Sequence, residues 1–397
     1  MRGDLHAGVY HRDGWEARVG LRSGRCRFRI PRRPKRRATH LIEITKDPQM
    51  AQQEVRKAAP YAPSFIDRFT GFVQRQPLPY WLTYLLLFLL ESALLHVLSW
   101  VDGWLSAYRL GLILFLFPFW LWGSLAIVTY LDSLSLRAIS EFEPLLRIST
   151  ETKRQLKYEF TTMPARSVLL SATAWSVVFV LSWFLGYNSA VAVYGWGPLT
   201  TWLNFAAGFV SFSVGSVIYY HSIRQLRLVS RTVQMVSQFD LFRLDPAYAF
   251  SFLTSRTGIS WVALLTLSLL MFPLEVGGIT ELSYLVLQIA LASGAFLLPL
   301  RFVNRRLVLE KRGQLAELDQ RTKATLARMH QLIDENDLRE VPRLNDVLKA
   351  LTTEREILAK IPTWPWRPGL FAGFLSVIVI PIVLFLLQFG LSEWLGH

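Results

Sequence analysis

A single cysteine, Cys26, cannot close a disulfide within the chain, so nothing in the 397 residues calls for an oxidising compartment. The signatures of phosphate and metal chemistry are missing too: there is no Walker loop, no Gly-rich dinucleotide turn and no His-Glu-x-x-His. The histidines His6, His11, His40, His96, His221, His330 and His397 are scattered, and no Ser–His–Asp order stands out. These absences speak against an enzyme, and no metal or organic cofactor is expected. Residues 1–40 lack an apolar core with a small-residue cleavage site, so the first hydrophobic stretch is expected to direct insertion itself. Paired broken helices of the kind found in many inverted-repeat transporters are also lacking.

Acidic charge is the minority, 29 Asp and Glu against 43 Lys and Arg, which gives a net charge of +14. Such an excess can serve nucleic acid. Here, however, Lys and Arg are nearly excluded from long apolar runs. Retention of cations on the cytoplasmic side of a membrane explains that segregation, so no nucleic acid partner is expected.

What remains is apolar: 52% hydrophobic residues, with 14 Trp and 26 Phe. About 20 mostly apolar residues span ~30 Å of hydrocarbon. Seven stretches qualify, near 80–100, 110–131, 167–187, 200–220, 258–275, 282–303 and 368–390. Tyr80, Trp81, Trp100, Trp104, Trp183, Tyr187, Trp196, Trp202, Tyr219, Tyr220, Trp364 and Trp366 mark their ends, as interface anchors do. The N-terminal segment and the segments 132–166, 221–257 and 304–367 are rich in Lys and Arg. The opposite connections, near 101–109, 188–199 and 276–281, hold only Arg109. The expected fold is therefore an all-α polytopic bundle in the cell (inner) membrane, with the N-terminus cytoplasmic and the C-terminus outside.

Four parts follow. Residues 1–59 read as a basic cytoplasmic tail without fixed structure, and Met50 is an alternative start. Arg32, Arg33, Lys35, Arg36 and Arg37 lie in a run free of acids and are candidates for contact with anionic lipid. Residues 60–303 form the bundle of spans 1–6. It begins with a capped amphipathic helix over 64–74, where Phe and Ile recur at helical spacing in the inner interface. Residues 304–361 read as a cytoplasmic antiparallel hairpin with a coiled-coil-like apolar seam, available for internal packing or homo-oligomer assembly. Residues 362–397 supply span 7 and a short outer tail. The aromatic stretch 239–257 is too short and broken to span and reads as a loop packed under the bundle, with an inner gate as the sharper alternative.

Glu91 lies eleven residues into span 1 and, at ~1.5 Å per residue, near the bilayer midplane. A charge there is costly, and no Lys or Arg lies deep in any span to pair with it. The group is either protonated or hydrated in a polar path, with Asn204 and the serines of spans 3 and 4 as expected partners. A transport role and a satisfied structural carboxyl both fit. His96 lies about 140° further round the same helix and reads as structural unless it lines that path. Pro118, Pro273, Pro299 and Pro381 should free carbonyls and bend four spans. Ala207, Ser211 and Gly215 on span 4, and Gly369 and Gly373 on span 7, are expected at close helix contacts.

Seven spans, short outer loops, spans 4 and 6 prolonged inward and an inner helix before span 7 together resemble insect odorant and gustatory receptors. The last span closes Ile382, Val383, Leu384, Phe385, Leu386, Leu387, Gln388, Phe389, similar to the hydrophobic residues then Gln-Phe that end the gustatory receptors. Where those have Thr-Tyr before the hydrophobic run, this chain has Pro381-Ile382. The resemblance implies a ligand-gated cation channel that assembles as a tetramer through its inner helices, with the last span, and so Gln388, lining the pore. The expected function is a channel-like oligomeric conduit for ions or small solutes. The alternative is a non-conducting scaffold or signalling partner that uses the basic cytoplasmic face.

Overall fold

The structure, a computed structural model, describes residues 60–236, 240–242, 244–271, 279–366 and 368–395, and these are all-helical with no strands. Helix α1 (Phe65–Gln74) opens as its sequence predicts. Ser64 Oγ accepts from Asp67 N at 3.2 Å and Asp67 Oδ2 accepts from Ser64 N at 2.9 Å, a reciprocal capping box. Helix α2 (Tyr80–Val101) and α3 (Leu116–Phe142, entered through a 3₁₀ turn at Leu112–Phe115) follow as an antiparallel pair. A short polar helix, α4 (Thr150–Thr161), precedes α5 (Ala165–Tyr194). Then come α6 (Pro198–Val210) and α7 (Val217–Gln234), joined by a π turn at Ser211–Gly215. Helices α8 (Asp245–Met271), α9 (Ile279–Asp334), α10 (Val341–Lys360) and α11 (Pro368–Leu395) complete the chain.

Among the described residues five runs are long and apolar enough to cross a membrane: Tyr80–Val101, Leu112–Leu145, Ala165–Leu185, Pro198–Gln234 and Val286–Asp334. Gly369–Leu384 is apolar but shorter among the described residues, and Arg256 interrupts the apolar run of α8. Their surfaces argue for lipid. Leu170, Phe184 and Leu185 of α5 are 72%, 68% and 87% exposed, an apolar face that water would not tolerate on a monomer. Between such helices the hydrophobic drive vanishes, so close packing and hydrogen bonds must hold the bundle.

Close packing is visible where the π turn between α6 and α7 approaches α3. A Cβ on Gly215 would lie 3.0 Å from the Trp120 carbonyl oxygen, and Ser211 Oγ donates to Phe117 O at 2.7 Å. The small residues of span 4 are therefore helix contacts. Gly369 and Gly373 are not, because a Cβ on either meets nothing within 4 Å. Pro118 departs from expectation as well. It sits in the first turn of α3, where a missing N–H costs no helical bond. Pro299 and Pro381 lie inside α9 and α11, and Pro273 lies outside the described residues.

The larger correction concerns 245–257, read as a loop. It forms the first half of α8, since Pro246 stands at the start of a helix and breaks nothing. Its apolar face fills the core at the polar end of the bundle. Phe250 and Leu253 are fully buried, with the Phe250 ring 4.5 Å from that of Phe142 and stacked at 6.1 Å on Phe160. Helix α8 in turn contacts α3, α7, α9 and α11. Helix α10 folds back along α9: Arg355 Nε donates to Asp319 Oδ1 at 3.0 Å, and Lys311 Nζ donates to the carbonyls of Ala359 and Ile361. Leu318 and Leu358 tuck this hairpin against the Phe142 core.

At the opposite end Asp102, just after α2, caps α6. Its carboxylate accepts from Thr200 N at 2.9 Å and Leu199 N at 3.3 Å, and Gly197 allows the approach, since a Cβ there would lie 2.2 Å from Oδ2. These backbone N–H donors, aimed from a helix N-terminus, hold the carboxyl below the usual range. A depressed folded value means stabilisation present above the unfolded value of about 3.9 and lost as pH falls through the folded one. Thermal unfolding in detergent should therefore show Asp102→Asn less stable than wild type at neutral pH. The two should converge as the pH drops well below about 3.9.

Candidate functional site

Glu91 bonds across the α2–α3 seam, where Trp122 Nε1 donates to Glu91 Oε2 at 2.6 Å. The expected partners on spans 3 and 4 are not used, because α3 and not α6 faces that side of α2. Two turns nearer the polar end the seam repeats the device. Thr129 Oγ1 donates to Leu125 O at 2.9 Å, which leaves Tyr84 OH, 3.0 Å away, to donate to Thr129. Positions 84 and 91 pair with 129 and 122, a constant antiparallel register with rungs about 10 Å apart at 1.5 Å per residue.

His96 is buried off this ladder. Gly111 N donates to its Nε2 at 3.2 Å and Nδ1 lies 2.7 Å from Ser92 O, which assigns the proton to Nδ1 and ties the α2–α3 connection to α2. That is structural work. Asn204, fully buried on α6, donates Nδ2 to Thr200 O at 2.9 Å, and its Oδ1 has no partner among the described residues. The side chain of Gln388 lies outside the described residues, as do Arg32, Arg33, Lys35, Arg36 and Arg37. Of the described candidates, Glu91, His96 and Asn204 each bond elsewhere and do not form one site.

What the structure does bring together lies at the polar end of the seam, one turn beyond Thr129. Asp132 of α3 accepts from His221 Nε2 of α7 at 2.8 Å, both being buried. Gln225, a turn further on α7, reaches Asp132 at 3.4 Å and donates to Phe160 O at 3.1 Å. His221 Nδ1 and Gln225 Oε1 have no partner among the described residues. The outer wall of the cluster is the start of α1 with its N-cap. Asp67 Oδ2 accepts from Ser64 N, Ser64 Oγ and Met163 N at 2.8–2.9 Å, joining α1 to the α4–α5 connection. Burial pushes this carboxyl above the usual range, against the opposing hydrogen bonds from Ser64 and Met163.

Arg224 closes the far side. It donates to Glu159 O and Tyr61 OH and lies 5.6 Å from the centre of the Tyr61 ring. Tyr61 OH donates on to Thr162 O at 2.8 Å, and Tyr158 OH to Tyr61 O at 2.8 Å. Burial pushes the Tyr61 hydroxyl up despite Arg224, so it stays a donor. Trp261 Nε1 donates to Ser222 Oγ at 3.0 Å and links α8 to the same stretch of α7. The arrangement can hold or pass protons among a carboxyl, an imidazole and hydroxyls. Among the described residues no group of three or more His, Cys, Asp or Glu side chains is placed to hold a metal ion.

The chain matches no protein-family model, no curated protein and no solved structure.

Proposed function

We propose that this protein is a channel-like conduit for protons, other ions or small solutes, and that its polar route follows the α2–α3 seam. One observation carries the reading: Glu91–Trp122, Tyr84–Thr129 and Asp132–His221–Gln225 succeed one another along the α2–α3 seam and onto the facing side of α7. Ionisable groups among membrane helices are costly and by default mark a pathway. In this reading α8 and α11 complete seven spans. Arg256, which lies 5.0 Å from the Phe252 ring centre, extends toward the polar end as cations near span termini do. The distribution of Lys and Arg then keeps the N-terminus and the hairpin cytoplasmic, and the basic tail lies on anionic lipid. Helix α11 exposes Leu375, Val379, Val383 and Leu386, a face fit for assembly with further copies. The resemblance of plan to insect odorant and gustatory receptors supports such an oligomer.

Flux into proteoliposomes tests the reading. Wild type should conduct, and Glu91→Gln or Asp132→Asn, which keep an acceptor for Trp122 or His221 but remove the ionisable carboxyl, should lower the flux roughly tenfold or more. Unchanged flux in both variants would remove the seam from the route. A second reading is a non-conducting scaffold. It is favoured by the exposure of Ile333, Leu338, Val347 and Ile357 on the α9–α10 hairpin, an apolar surface suited to a protein partner. Silence from a folded, oligomeric sample would select it.

A further inference from the structure

Away from the seam, α7 and α9 run side by side with Trp261 of α8 beneath them and enclose an open groove of about 440 Å³. Its volume lies in the range of small-molecule sites, roughly 300–1,000 Å³. Its floor and walls are almost wholly apolar, with Ile223, Leu226, Leu291, Leu298 and Phe302 among them. Small residues make the room: Ala290, Gly294 and Ala295 succeed one another on α9, and a Cβ on Gly294 would meet only Leu298 Cδ1, at 3.7 Å. Leu298 and Phe302 are exposed on the outer rim, so the groove opens where lipid surrounds the bundle.

The end nearest the polar hairpin is different. Arg227 and Ser230 of α7 line it, and Arg305 follows Phe302 by one turn on α9. Arg227 and Arg305 are exposed, and neither makes a hydrogen bond or ion pair among the described residues. Their neighbours contrast with them, since Arg224 is engaged by Tyr61 and Glu159, and Arg231 lies 3.5 Å from Glu159. An apolar slot that ends in uncommitted guanidinium groups at the membrane–water boundary has the polarity of one ligand class. A second copy would bring these cations against another chain of net charge +14. An uncharged lipid would leave them unanswered.

We propose that the groove seats an anionic phospholipid, with an acyl chain along the floor made by Ala290, Gly294 and Ala295 and the phosphate on Arg227 and Arg305. Basic pockets between membrane helices recognise such headgroups, and arginine presents the forked donors that phosphate accepts. The inference is independent of whether the protein conducts.

Native mass spectrometry of the full chain from an uncharged detergent tests it, with titration by dioleoylphosphatidylglycerol and, separately, by dioleoylphosphatidylcholine. The tightest phosphatidylglycerol adduct should weaken about thirtyfold in the double variant Arg227→Gln/Arg305→Gln, the worth of two surface cations. The phosphatidylcholine adducts, whose phosphate charge is offset by choline, should change far less. Gly294→Leu, which fills the slot at constant charge, should also remove that tightest adduct, and Ala290→Leu serves if Gly294→Leu does not fold. Phosphatidylglycerol affinity unchanged by the arginine substitutions overturns the proposal. So does a tight adduct that survives Gly294→Leu, or one displaced equally by soluble glycerol phosphate, since both mean attraction to charge without a seated chain. A lipid-independent dimer abolished by Gly294→Leu would assign the groove to a second copy instead.

Discussion

Asp132→Ala is expected to cost about 3–5 kcal/mol in the unfolding of the detergent-solubilised protein, because it breaks a buried pair and leaves its partner behind. The substitution strands His221 with neither ring nitrogen bonded, since Nδ1 has no partner among the described residues even in the intact pair. Gln225 keeps only its bond to Phe160 O. Asp132→Asn should cost far less, as the amide oxygen can still accept from His221 Nε2. Replacing both partners, Asp132→Leu with His221→Leu, should recover much of the loss, because two apolar groups of similar size need no hydrogen bonds. A double-mutant cycle by thermal or denaturant unfolding reads these terms directly. A cost below about 1 kcal/mol for Asp132→Ala, the range of an exposed pair, would mean that the bond does not hold α3 to α7.

Neither member of this pair stood out in the sequence, where Asp132 opens the cation-rich segment 132–166 and His221 is one of the scattered histidines. Leu121, Leu125, Val128, Leu131, Asp132, Ser135, Ala138, Ile139 and Phe142 are all buried on one side of α3. A carboxylate at an apolar register position is the signal that the 3.6 periodicity could have given. Its partner was not legible, because His221 lies 89 residues away and only the close approach of α7 to α3, permitted by Gly215, joins them. Glu91 shows the complementary failure. A search for a cation or an amide near the midplane misses an indole N–H, yet Trp122 supplies the bond. Local chemistry read well where it was self-contained: Ser64 and Asp67, three residues apart, fix the start of α1. It read poorly at Pro246, where the same residue type can stop one helix or open another and only tertiary packing of Phe250 and Leu253 decides. The count of spans divides in the same way. Five runs among the described residues declare themselves by apolar length, whereas α8 carries Arg256 within its apolar stretch.

Phe296→Ala is expected to have the second large effect, and to have it selectively on α11. Phe296 of α9 is fully buried, with its ring 4.4 Å from Phe374 of α11 and 5.8 Å from Trp366 just before that helix. Val262, Ala292, Leu300 and Ile378 complete the cluster. Among the described residues α11 touches the bundle mainly through α8 and α9, with no polar ladder like that of the α2–α3 seam, so van der Waals contact in this cluster must hold it. Truncation should cost about 3 kcal/mol, the low end for a buried Phe→Ala change, because lipid solvates the separated helices where water would penalise them. Combined with Phe374→Ala, the loss should fall short of the sum by about 0.5–1.5 kcal/mol, the coupling of an aromatic pair. Limited proteolysis in detergent gives the spatial readout. In Phe296→Ala the segment at Pro362–Trp366 should be cut before the hairpin or the α2–α3 pair. In Asp132→Ala the order should reverse, since that substitution loosens α3 from α7 and leaves the α8–α9–α11 cluster intact. If both variants open at the same site, the bundle unfolds as one cooperative unit, and α11 is held by more than the rings around Phe296.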